Sequence, residues 1–132
     1  MPLGPLLAAP AMVQLHAGAA LSALVLGALQ FALPKGVRAH RVIGWAWVAL
    51  MAAVAVSSFW ITGVAGPHRF SWIHGLSAYV LMMLPLAVLA ARRRQVPRHR
   101  AAMAGLFLGA LVVAGAFTLL PGRIMGAVVF GW

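Results

Sequence analysis

Residues 12–33 read MVQLHAGAALSALVLGALQFAL, and the reading of that stretch decides the fold. It is 22 residues long and carries no charge. As an α-helix it would cross the roughly 30 Å hydrocarbon core of a bilayer. Pro34-Lys35-Gly36 stops it. Three more stretches follow the same plan. The second runs from His40 to Val64 and ends at Gly66-Pro67. The third runs from Phe70 to Ala91 and ends in Arg92-Arg93-Arg94. The fourth runs from Arg100 to Leu120 and ends at Pro121-Gly122. The expectation is an all-α membrane protein, a four-transmembrane-helix bundle forming one domain over residues 1–132. Pro85 should kink the third span, which neighbouring helices can tolerate. Residues 123–132 are too short to span and should lie at the interface or fold over the bundle. Residues 2–11 lack the basic start of a signal peptide, so the first span is read as retained.

Composition narrows the chemistry. The chain is 64% hydrophobic and 8% charged, against about 25% charged in a soluble domain. It has no Cys, which excludes disulfides and thiolate metal sites. It has no Asp or Glu, which excludes carboxylate ligands, acidic proton relays and glycosidase or aspartic pairs. The +10 charge sits in loops between spans rather than on a soluble basic face. Lipid headgroups or anionic cofactors are therefore the expected partners, and nucleic acid is not.

The basic residues set the expected orientation. Lys35, Arg38, Arg41, Arg92, Arg93, Arg94, Arg98 and Arg100 flank the loops after spans one and three. Only Arg69 and Arg123 belong to the other side. The positive-inside rule then puts the first group in the cytoplasm and both termini outside, in a bacterial inner membrane. Trp60, Phe70 and Trp72 mark the outer interface, and Trp45 and Trp47 lie nearer the inner one.

Four histidines fall two by two at opposite edges. His16, His40, His74 and His99 open successive spans. His16 and His74 should share the outer edge, and His40 and His99 the inner one. One His pair per leaflet, on alternate helices, suits axial ligation of two b haems. The spacing also suggests an internal duplication, with His16-Ala17-Gly18 and His40-Arg41 matched by His74-Gly75 and His99-Arg100. Such a repeat would be parallel, about an axis along the membrane normal. Steps of three and four below His16 reach Ala20, Ala23 and Gly27; below His40 they reach Gly44, Trp47 and Met51. Gly105 and Gly109 form a G-x-x-x-G, which serves helix packing or the approach of a flat porphyrin. His68 lies in the short outer loop and is a candidate contact for a substrate. The competing assignments are an interhelical hydrogen bond for His16 and His74, and a solvated loop-end position for His40 and His99.

Haem propionates would give the basic residues a role. Lys35, Arg38, Arg41 and Arg100 are placed to meet an inner haem, and Arg69 and Arg123 an outer one. Service to topology and to lipid phosphate is the alternative.

Several elements together resemble a known group. They are His16-x-Gly18 with Gly27-x-x-Gln30, Arg38-Ala39-His40-Arg41-x-x-Gly44, His74, His99-Arg100-x-x-Met103 and Leu120-Pro121-Gly122-Arg123. They look like the small bacterial membrane proteins catalogued as domain of unknown function 2306, over nearly the whole chain. The alternation of His over successive helices is similar to the cytochrome b561 type, in architecture and without shared signature residues. That second resemblance implies two b haems passing electrons across the bilayer, with His16/His74 and His40/His99 as axial ligands. The inner pair lies very near the interface, a departure that favours the outer site. Three functions compete. One is a membrane oxidoreductase or electron carrier of the cytochrome b type, with a quinol as one candidate electron donor. The second binds or transports a metal ion or haem with the same histidines. The third is an accessory membrane protein, without cofactor. A homo-oligomer is compatible with each.

Overall fold

The structure, a computed structural model, describes residues 3–60, 72–121 and 123–131. Every regular element among them is helical. A single turn, α1 (Gly4–Leu7), precedes α2 (Ala11–Ala32) and α3 (Arg38–Ser58). Next come α4 (Trp72–Arg92) and a fourth span in three parts. That span begins as α5 (Val96–Gly105), widens into a π-helical segment (Leu106–Val113) and closes as α6 (Ala114–Phe117). A last helix, α7 (Ile124–Phe130), follows. Four helices are long and apolar enough to cross a membrane.

The expected first span matches α2 to within a residue at either end. The expected end of the second at Val64 and start of the third at Phe70 lie outside the described residues, as do His68 and Arg69. The fourth span starts at Val96 rather than at the expected Arg100. Pro97 explains the difference. It sits in the first helical turn, where its missing N–H has no intrahelical partner to lose, so the helix starts before it. α4 runs through Pro85 as one helix.

The turn from α4 to α5 is short because α4 ends in a Schellman motif. The Gln95 amide donates to the Ala90 carbonyl at 2.8 Å and the Arg94 amide to the Ala91 carbonyl at 3.1 Å. Arg94 occupies the left-handed position, with φ 57°, where glycine is the usual residue. At the turn from α2 to α3, Gly36 has φ 80°, and Lys35 closes the end of α2. Its Nζ donates to the carbonyls of Gln30, Phe31 and Leu33 at 2.7, 3.0 and 2.7 Å. A cation there complements the negative end of the helix dipole.

The spans form a ring. α2 packs on α3, α3 on α4, α4 on α5, and the π-helical segment contacts both α4 and α2. The diagonals are therefore α2 with α4, and α3 with the fourth span. The core along the axis includes Ala23, Trp47, Met51, Val80, Leu84, Ala87, Leu106 and Leu111. Leu21, Val25, Leu29, Val42, Val56, Met82, Leu86 and Leu108 face outward and are exposed. Large apolar side chains all around a bundle with so slim a core are suited to lipid rather than water.

Polar rungs join the helices where the spans carry isolated polar groups. Trp47 Nε1 donates to the Ala23 carbonyl at 3.0 Å in the buried middle. Gln30 Nε2 donates to the His40 carbonyl at 2.7 Å at the basic end. Ser58 and Ser77 hydrogen-bond across α3 and α4. Gly27 permits the closest packing. A Cβ there would lie 2.6 Å from two Phe107 ring atoms and 2.9 Å from Trp47 Nε1. The G-x-x-x-G has no such role among the described residues: there a Cβ on Gly109 would meet nothing within 4 Å, and one on Gly105 would meet the Tyr79 hydroxyl at 3.9 Å. In the tail, α7 packs against α1.

Candidate functional site

The two short turns bring α3 and the fourth span to one end of the bundle with their first residues level. His40 stands in the first turn of α3 and His99 in the first turn of α5. Across the diagonal their rings approach to 6.5 Å between centroids, at 80° to one another. His99 Nδ1 lies 2.9 Å from the Ala87 carbonyl. A carbonyl only accepts, so in the neutral ring Nδ1 carries the proton and Nε2 keeps its lone pair. His40 Nδ1 and Gln30 Oε1 are buried without a hydrogen-bond partner among the described residues.

Both histidines line a cavity of about 500 Å³. Its walls are mostly apolar, with Phe31, Trp45, Trp47, Val48, Val88 and Phe107. Lys35, Arg41, Arg92 and Arg100 also line it. No carboxylate exists in the chain to pair with those four cations. The combination suits a flat or elongated apolar ligand with an anionic edge, and the volume lies within the roughly 300–1,000 Å³ of small-molecule sites.

At the opposite end the other two histidines meet separate side chains at the C-terminal end of α3. His16 Nδ1 lies 2.9 Å from Ser57 Oγ. Ser57 spends its one proton on the Val54 carbonyl at 3.0 Å, so it accepts from His16 Nδ1–H. The neutral His16 ring is thereby held in the tautomer with Nε2 unprotonated. His74 is buried, 6% exposed, with its ring 5.8 Å from that of Phe59. His16 and His74 thus flank the same end of α3, each against a different side chain.

Residues 13–130 match the family described as "Predicted membrane protein (DUF2306)". The chain belongs to that family. No curated protein matches it, and no solved structure does.

Of the expected ligand residues in this family member, the structure brings His40 and His99 together, with Arg41 and Arg100 on the same cavity wall. Lys35 lines the cavity but directs its ammonium to the end of α2. Arg38 is exposed and off the cavity wall. Arg123 stands at the far end, its guanidinium 4.8 Å from the Phe117 ring centroid. Sequence reasoning passed over Gln30 and Arg92 as site residues. Gln30 was marked all the same by being an amide in an apolar span, where polar groups are functional by default.

Proposed function

We propose that this chain is a membrane haem protein of the electron-transferring cytochrome b type, with a haem held between His40 and His99. The observation that carries this reading is the 6.5 Å approach of those two rings inside a cation-lined apolar cavity. Two imidazoles on opposite sides of one metal, each nitrogen about 2 Å from it, have centroids about 6 Å apart. Haem iron asks only two ligands of the protein, whereas a structural zinc site asks about four. No group of three or more His, Cys, Asp or Glu exists among the described residues that would hold a bare ion. Two histidines therefore favour haem over zinc or copper.

Each residue has a task in this reading. His40 and His99 would hold the haem iron through their imidazole nitrogens. The Ala87 carbonyl fixes the His99 ring in the ligating tautomer, the usual arrangement behind a metal-bound histidine. Arg41 and Arg100 receive the propionates. Trp45, Trp47 and Phe107 keep water from the ring and lower the local dielectric. Bound haem supplies one-electron chemistry, and the protein supplies ligands and frame.

A second haem at His16 and His74 would complete a path across the bilayer, and it requires both rings to turn toward a common centre. The basic end faces the cytoplasm of a bacterial inner membrane in this reading, with both termini outside. Reporter fusions near Arg92–Arg94 should read cytoplasmic.

The test is a visible spectrum of the purified protein, oxidised and then dithionite-reduced. A Soret band and sharp reduced α band are expected, lost in His40→Ala and in His99→Ala but kept in His16→Ala. Folded protein without a Soret band, even after added haem, would leave the accessory role in its place. A band lost in His16→Ala and kept in His40→Ala would move the site to the other end.

A further inference from the structure

A second cavity, of about 440 Å³, opens on the outer side of the bundle between α3 and α4. Val48 and Ala52 of α3 and Leu81, Pro85 and Leu89 of α4 line it. Ala52 and Pro85 are the smaller residues there, so the surface dips between Leu81 and Leu89. Leu84, Val88, Trp45 and Arg92 complete the lining, and the Arg92 guanidinium sits 5.8 Å from the Trp45 ring centroid. From Leu81 to Arg92 the helix rises roughly 16 Å at 1.5 Å per residue. Half of a hydrocarbon core about 30 Å thick is about 15 Å. The groove is therefore one leaflet deep, apolar along its length, with a cation at its headgroup end.

We propose that this groove binds the acyl chain of an anionic phospholipid whose phosphate pairs with Arg92. No side chain offers Arg92 an anion, since the sequence has no Asp or Glu. The Trp45 ring lies within cation–π reach of the Arg92 guanidinium, and a phosphate accepts two parallel N–H bonds from such a planar fork. A membrane-embedded trough one leaflet deep meets acyl chains at high concentration, and the cation selects among their headgroups. The same Arg92, with Trp45, Val48 and Val88, also lines the His40/His99 cavity. A phosphate on Arg92 would thus sit at the wall of that cavity. The proposal does not rest on the haem reading and holds for the protein without cofactor.

Native mass spectrometry of the detergent-solubilised protein tests it. The added lipids are phosphatidylglycerol and phosphatidylcholine of identical acyl chains, in equal amounts. The first bound lipid should favour phosphatidylglycerol by about tenfold, because the phosphate of phosphatidylcholine is already neutralised by its own choline cation, whereas that of phosphatidylglycerol is left to pair with Arg92. Arg92→Gln should bring that preference close to one, and Arg93→Gln, which removes a neighbouring cation off the groove wall, should leave most of it. Ala52→Phe should fill the trough and reduce binding of both lipids several-fold. Leu89→Trp, at the exposed lip, serves the same end if Ala52→Phe does not fold. Equal losses in Arg92→Gln and Arg93→Gln would overturn the proposal in favour of diffuse charge. Unchanged lipid binding in both groove-filling variants would overturn it too. So would a lipid-free dimer that Ala52→Phe dissociates, since the groove would then belong to a second copy of the chain.

Discussion

Gly27→Ala isolates the closest packing in the bundle. The added methyl would stand 2.6 Å from Phe107 Cδ2 and Cε2 and 2.9 Å from Trp47 Nε1. Carbon pairs rest at about 3.5–4.0 Å, so the Phe107 ring must retreat by about 1 Å. Its retreat is hindered on one side by Phe31, whose ring stands edge-on at 5.1 Å between centroids. Trp47 is no freer, since it is buried and hydrogen-bonded to Ala23. Overpacking of this kind costs about 1–3 kcal/mol. Replacing a mid-helix glycine by alanine returns about 0.5–1 kcal/mol of backbone entropy. The net expectation is a loss of up to about 2.5 kcal/mol, the difference of those two effects. Gly109→Ala is the matched control, because a Cβ there meets nothing within 4 Å. Equilibrium unfolding in detergent micelles, followed by circular dichroism, measures both. Phe107→Leu should recover part of the Gly27→Ala loss, as expected for residues in contact. Gly27→Ala at or above wild-type stability, with Gly109→Ala falling below it, would refute the packing argument.

Three further substitutions probe the turns. Arg94→Gly should raise stability by about 1 kcal/mol, since an L-residue in the left-handed region loses about that much, while Arg93→Gly should lower it in the same unfolding assay. Lys35→Met should lower stability by about 0.5–1 kcal/mol by uncapping α2, and the difference should shrink as salt is added to the unfolding buffer.

The four spans and the basic end were legible because they depend on length and charge alone. A run of some twenty apolar residues has few alternatives to crossing a bilayer, and ten cations without an acid mark its ends. Steps of three and four also found most of the inward face of α2 and α3, with Ala23, Gly27, Trp47 and Met51 buried. The same steps fail on the fourth span. There the buried residues of the π-helical segment are Leu106 and Leu111, five apart, because i→i+5 hydrogen bonding aligns residues at that interval. Nothing in the local sequence announces a wide turn. The partners of His16 and Gln30 were equally out of reach, since Ser57 and the His40 carbonyl come near only through the pairing of α2 with α3. For the candidate site, residue spacing placed His40 and His99 at one end, and the bundle's diagonal brought their rings together. The roles of Lys35 and Arg92 emerged only from the tertiary structure.

The wide turns of the fourth span set two half-helices out of phase. Residues up to Gly105 are angled so that His99 reaches Ala87 of α4, and Ala114–Phe117 continue the span beyond the wide turns. In an α-helix each residue advances the azimuth by about 100°. Regularising Leu106–Val113 would therefore swing one half against the other, and His99 would leave either its carbonyl or its diagonal partner. The segment acts as a vernier between the two ends of the molecule. A residue deleted within it can be absorbed by tightening a wide turn, whereas one deleted between His99 and Gly105 reaches the imidazole as a full angular step.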